Sequence, residues 1–171
     1  MFTKTDIEKY FTAEKSESLL FIFIGIAAII AAIVFLFFLK TNFYKGMALP
    51  LLLIALIQIT VGYTVYKRSD NDRQRNVYAY DLNPSELKIK EIPRMEKVNK
   101  NFVLYRWIEI ALAVAGLTLI ILYRSNTDRS FLYGLGLGLL IQALIMLGAD
   151  YFAEARAKEY TKGLKEFTQK I

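Results

Sequence analysis

The sequence predicts an all-α fold, a polytopic membrane protein with a bundle of four transmembrane helices. Three observations carry this reading. Hydrophobic residues make up 55% of the 171-residue chain, more than a soluble domain of this size carries. They are concentrated in four blocks, residues 19–39, 47–66, 102–123 and 131–149, each close to the roughly 20 residues a helix needs to cross the hydrocarbon core. Lys and Arg are also distributed unevenly between the segments that join the blocks.

Residues 1–17 come first. Thr5, Asp6, Ile7 and Glu8 form a capping-box pattern, and Ile7, Tyr10 and Phe11 share one helical face. This predicts a short interfacial helix lying on the inner leaflet. The first span, 18–40, exceeds the apolar core of a cleavable signal peptide, and Asp6, Glu8 and Glu14 precede it among the lysines. All four blocks, with spans at 18–40, 46–66, 102–123 and 130–150, are apolar on every side, whereas barrel strands would alternate in polarity.

Residues 67–101 are the one sizeable polar segment and read as a loop containing a helix. Asn83, Pro84, Ser85 and Glu86 mark a helix start, Pro93 interrupts or restarts it, and Met95, Val98, Phe102 and Tyr105 lead into the third span as one helix. Residues 151–171 form an amphipathic helix. Ala153, Ala157, Tyr160, Leu164, Phe167 and Ile171 follow steps of four and three, a heptad-like stripe. Tyr160, Leu164, Phe167 and Ile171 are the candidate stripe for a partner helix; the alternative cover is the protein's own loop or lipid.

Orientation follows from charge. Lys4, Lys9 and Lys15, the ten cations within 67–106, and the five from Arg156 onward lie on one side. Only Lys40, Lys45, Arg124 and Arg129 lie on the other. By the positive-inside rule both termini and residues 67–101 face the cytoplasm, N-in and C-in. The richness in Lys, Ile, Phe and Asn suits a bacterial cytoplasmic (inner) membrane. The net charge of +6 belongs to these anchors, which are interleaved with acids, and implies no nucleic-acid partner.

Sliding the chain against itself by 84 residues aligns Lys40, Thr41 and Asn42 with Arg124, Ser125 and Asn126, and Leu56, Ile57 and Gln58 with Leu140, Ile141 and Gln142. This suggests two duplicated helical hairpins related by an axis along the membrane normal. Counted inward from the outer span ends, Gln58, Gln142 and Glu109 fall within about one turn in depth, with Thr60 nearby. These four residues are the expected intramembrane polar layer. A carboxylate at that depth costs about 2.5–3.5 kcal/mol and must face the interior, take up a proton or pair. Its two readings are a proton or ligand site and a structural hydrogen-bond layer. Arg106 is within reach of Glu109 along the helix, and Arg106 with Asp150 is the candidate ion pair. Ser130, Gly134 and Gly138 repeat at four-residue steps towards Gln142 and predict close helix packing.

The chain contains neither Cys nor His, which removes thiolate and imidazole chemistry and nearly all zinc, copper and haem ligation. Gly134, Gly136 and Gly138 lie inside an apolar span, with no strand before them to make a dinucleotide loop. No cofactor, metal or enzymatic activity is therefore expected. The expected partners are membrane lipid and either another protein or a second copy of the chain.

In size, in span number and in having both ends cytoplasmic, the chain resembles four-span immunity proteins of the colicin type, which protect bacteria against pore-forming toxins. The resemblance lies in architecture and assigns no residue a role. It implies a non-enzymatic protein that binds a membrane or membrane-directed protein. The alternative from the residues alone is a small proton-coupled transporter or channel subunit using Glu109.

Overall fold

The computed structural model describes residues 2–169; Ile171, the last position of the predicted stripe, lies outside them. The chain is a bundle of long helices. Helix α1 (Lys4–Val34) continues into a π turn (Phe35–Leu39), and α2 spans Asn42–Leu82. A short α3 (Pro84–Glu86) and a π turn (Leu87–Glu91) lead to α4 (Ile92–Tyr123). A 3₁₀ turn (Thr127–Arg129) precedes α5 (Ser130–Thr168). Helices α1, α2, α4 and α5, with their short extensions, are each long and apolar enough to cross a membrane.

Length shows how these helices are used. At a rise of ~1.5 Å per residue, the 41 residues of α2 extend about 60 Å, twice a ~30 Å hydrocarbon core. Half of α2 therefore stands outside the apolar layer. Helices α1, α4 and α5, at 31, 32 and 39 residues, also exceed the core, and their polar ends gather with α3 at the end of the bundle that carries both termini. We call this end the base.

The helix ends follow local chemistry. The Asp6 carboxylate accepts from the Thr3 backbone N–H at 2.7 Å and from its hydroxyl at 2.8 Å, so α1 is capped two residues before the Thr5 pattern. Lys40 adopts a left-handed conformation with φ of 56° and ends the first span. Thr41 caps α2 by accepting from the Tyr44 N–H, and Asn126 accepts from the Asp128 and Arg129 N–H groups before α5. Pro84 occupies the first turn of α3, as expected. Glu86 does not reach back to Asn83; it pairs with Lys90 at 2.5 Å, and the Ser85 hydroxyl bonds Asn83 instead.

Helix α1 packs along α2, α2 along α5, and α5 along α4, whereas α1 and α4 share no comparable seam. The apolar windows of α2 and α5 are 33% and 28% buried, against 11% for those of α1 and α4. The middle pair is the spine of the molecule, and the flanking pair is open to the surroundings.

Glycine sets the spine. A Cβ on Gly46 would fall on the Phe131 carbonyl oxygen, and one on Gly134 on that of Phe43. A Cβ on Gly138 would lie 2.6 Å from Pro50 Cγ. Backbones can approach this closely only where side chains are absent. Gly116 and Gly136 do the same between α4 and α5, each 2.7 Å from the other's carbonyl oxygen once a Cβ is added. The α1–α2 seam uses Ala28, Ala32, Ala48 and Ala55 around Leu51.

The base differs from expectation in three places. Residues 4–17 are not a separate interfacial helix but the first turns of α1, with Ile7, Tyr10 and Phe11 buried in a core shared with Leu87, Met95, Ala157, Tyr160 and Leu164. Their spacing made one face apolar, and protein covers that face here. Residues 67–101 are mostly helix: α2 runs without a break to Leu82 before the turn at Asn83. The α5 stripe is also internal. Tyr160 and Leu164 are buried, Tyr160 stacks on Tyr10 with centroids 4.2 Å apart, and Phe167 stacks on Tyr80 at 4.7 Å. The stripe is therefore not free for a partner helix.

Candidate functional site

Two polar constellations are buried along the bundle, one in the apolar half and one in the base. The first contains Glu109, Gln58 and Gln142, each 1–2% exposed. Among the described residues no N–H or O–H donor reaches either carboxyl oxygen of Glu109, and Gln58 Oε1 and both terminal atoms of the Gln142 amide are likewise buried without partners. Gln142 continues the stripe of Gly134 and Gly138, whose packing partner is α2. Ser130, where that stripe begins, opens α5 and is half-buried.

The register of α4 on α5 changes the expected layer. The crossing of Gly116 with Gly136 and Leu140 fixes how the two helices slide, and the next contacts inward are Arg106 with Glu154 and Asn99 with Thr161. Three residues on from Arg106 along α4, and four back from Glu154 along the antiparallel α5, Glu109 and Asp150 consequently sit opposite each other in the same seam. Counting from span ends groups it with Gln142 only if helix tilts and loop heights are equal, which the α4–α5 register shows they are not. Thr60 is not in the layer. Two residues are about 200° of helical turn, so with Gln58 inside Thr60 is exposed, and its hydroxyl donates to the Leu56 carbonyl at 2.8 Å.

Arg106 does not pair with Asp150 either. Its Nη2 donates to Glu154 Oε1 at 2.6 Å, and Lys158 meets the same carboxylate at 2.7 Å. Arg156 binds Glu17 on α1 with both terminal nitrogens. These pairs lie around the inner ends of the spans and tie α5 to both flanking helices.

The second constellation was missed by sequence reasoning. Glu91 is 1% exposed, and Arg94 clamps it from one turn on, at 2.6 and 2.8 Å. Tyr160 donates to Glu91 at 3.4 Å, and Arg94 stacks over the Phe11 ring. Beside them Glu14 accepts from Arg68 at 3.2 Å and from the Ser69 hydroxyl at 3.1 Å, and Arg94 Nη1 lies 4.0 Å away. Burial pushes the Glu14 carboxyl upward while Arg68 and Arg94 hold it down, and burial pushes the Tyr10 and Tyr160 phenols up, so both stay neutral.

A signal for this network existed. Ile7, Phe11, Glu14 and Ser18 share one face of α1, and Glu91, Met95, Val98 and Phe102 share one face of the third long segment. The apolar stripes run straight into the two acids. Charge alone suggested solvent; periodicity placed both inside.

Asn99, Lys158, Thr161, Lys162 and Lys165 line a shallow recess of about 390 Å³ between α4 and α5 at the base. Among the described residues, no group of His, Cys, Asp or Glu has the arrangement of a metal site. Comparison of the chain with protein families, curated proteins and solved structures finds no match.

Proposed function

We propose that the protein is non-enzymatic and works by engaging another protein in or at the membrane, in the manner of an immunity protein against a membrane-acting toxin. The open side of the bundle carries this reading. Helices α1 and α4 flank the glycine-tight spine without closing on each other, and they present exposed side chains such as Phe23, Ile30, Trp107 and Leu117 over their full apolar length. Foreign helices can lie along such a surface as readily as lipid can, because packing, not water exclusion, selects partners inside a bilayer. The base, closed by its own aromatic and ionic core, would hold that surface rigid from the side to which the charge distribution assigns the cytoplasm.

The bundle is built from two duplicated hairpins, a reading supported by the positions of Gln58 and Gln142 on the two central helices. The test is protection. Cells expressing the protein together with a pore-forming toxin encoded beside it should survive, and survival should fall when Trp107 and Leu117 on α4 are replaced by Ala. Equal killing with and without the protein would remove the immunity reading.

A second reading, a small proton-coupled transporter or channel subunit, is favoured by the buried, donor-free carboxyl of Glu109. Under this reading Glu109→Gln abolishes transport while expression and folding stay normal. Unchanged transport in that variant would dismiss it.

A further inference from the structure

The Glu109 carboxyl presents an accounting problem that is independent of any partner. Among the described residues both of its oxygens are buried and meet no donor, and the polar group that the α4–α5 register sets opposite it is the Asp150 carboxyl. An ionised carboxylate only accepts hydrogen bonds. Two acceptors set opposite each other repel, and two ionised carboxylates sharing a site are disfavoured strongly enough that one of them takes up a proton.

The surrounding charges do not relieve the pair. On α4, Arg106 is turned away to Glu154. On α5, Lys158 also belongs to Glu154, and Arg156 belongs to Glu17 of α1. Four acids, Glu17, Glu109, Asp150 and Glu154, therefore face three cations, Arg106, Arg156 and Lys158. One negative charge remains without a partner, at the two carboxyls that no cation among the described residues touches.

We propose that Glu109 and Asp150 form a site for a single proton, held at neutral pH as an O–H···O bond that joins α4 to α5 at the inner end of the spans. The pair is a proton-binding site built into the bundle. A protonated carboxyl supplies the donor that the geometry lacks, and one proton completes the charge balance.

Infrared difference spectroscopy of the full chain in phospholipid nanodiscs at neutral pH tests this. The wild-type protein should show the C=O stretch of a neutral carboxylic acid, shifted in D₂O. The band should be lost in both Glu109→Gln and Asp150→Asn, either of which can donate an amide N–H to the remaining carboxylate and so keep the helices together. Absence of the band from the wild-type protein overturns the proposal, whatever the variants do. Persistence of the band in either variant overturns it too, since the proton would then not depend on both groups. A band that appears only when sodium is replaced by choline would assign the site to a metal cation instead.

Discussion

Gly134 and Gly148 lie on the same helix fourteen residues apart and make opposite demands. A Cβ at Gly134 meets the Phe43 carbonyl, whereas one at Gly148 meets nothing within 4 Å. Gly134→Val should therefore destabilise the protein by about 1–3 kcal/mol through overpacking. Gly148→Ala should be neutral or stabilising by up to ~1 kcal/mol from helix propensity. Thermal unfolding in a mild detergent distinguishes the two. A similar contrast holds for the buried charges. Arg94→Met leaves Glu91 buried without its clamp and should cost about 3–5 kcal/mol, while adding Glu91→Leu to it should recover most of that loss. Recovery in the double variant, read by the same melts, would show that the pair serves fit and not net attraction. Four-residue steps made Gly134 and Gly138 readable in the sequence. The stripe of Met95, Val98 and Phe102 runs into Glu91 and marks it as inward, but nothing in the polar segment marks Arg94 as its clamp, because a charge there looks solvated until its neighbours are folded over it.

At the scale of elements, apolar blocks of the right length announced the four spans, and the structure has four helices of that kind. What hydropathy did not announce was their continuation into the base. Periodicity reports that a face is apolar but not what will cover it, so Ile7, Tyr10 and Phe11 suggested a helix on lipid, and Tyr160 and Leu164 one awaiting a partner. Each stripe covers the other: Tyr10 stacks on Tyr160, and Phe11 meets its edge. Phe11→Ala should accordingly cost about 3–5 kcal/mol as a core deletion, even in detergent micelles without a bilayer. A loss confined to lipid-bound protein would restore the interfacial helix. Register was equally hidden. Neither helix length nor loop length reveals that Gly116 crosses Gly136, and that crossing brings Glu109 to Asp150 instead of Gln142.

On the scale of the whole molecule, the halves have different chemistry and different order. The apolar half is held by small-residue seams and leaves α1 and α4 unjoined, while the base is locked by aromatic stacking and ion pairs such as Lys15 with Asp70 and Lys165 with Glu96. Exposed pairs of that kind contribute only about 0–1 kcal/mol each, so the buried aromatic core provides the cohesion. In the proposed arrangement this base, with both termini, lies on one side of the membrane and the two short turns on the other. A chain without cysteine allows that claim to be tested with single introduced thiols. In intact bacterial cells made to express the variants, a membrane-impermeant maleimide should label Asp128→Cys. It should reach Lys9→Cys, Lys88→Cys and Lys162→Cys only after permeabilisation. Labelling of any of the latter three in sealed cells, or failure to label Asp128→Cys, would contradict the four-span, same-side arrangement on which the rest depends.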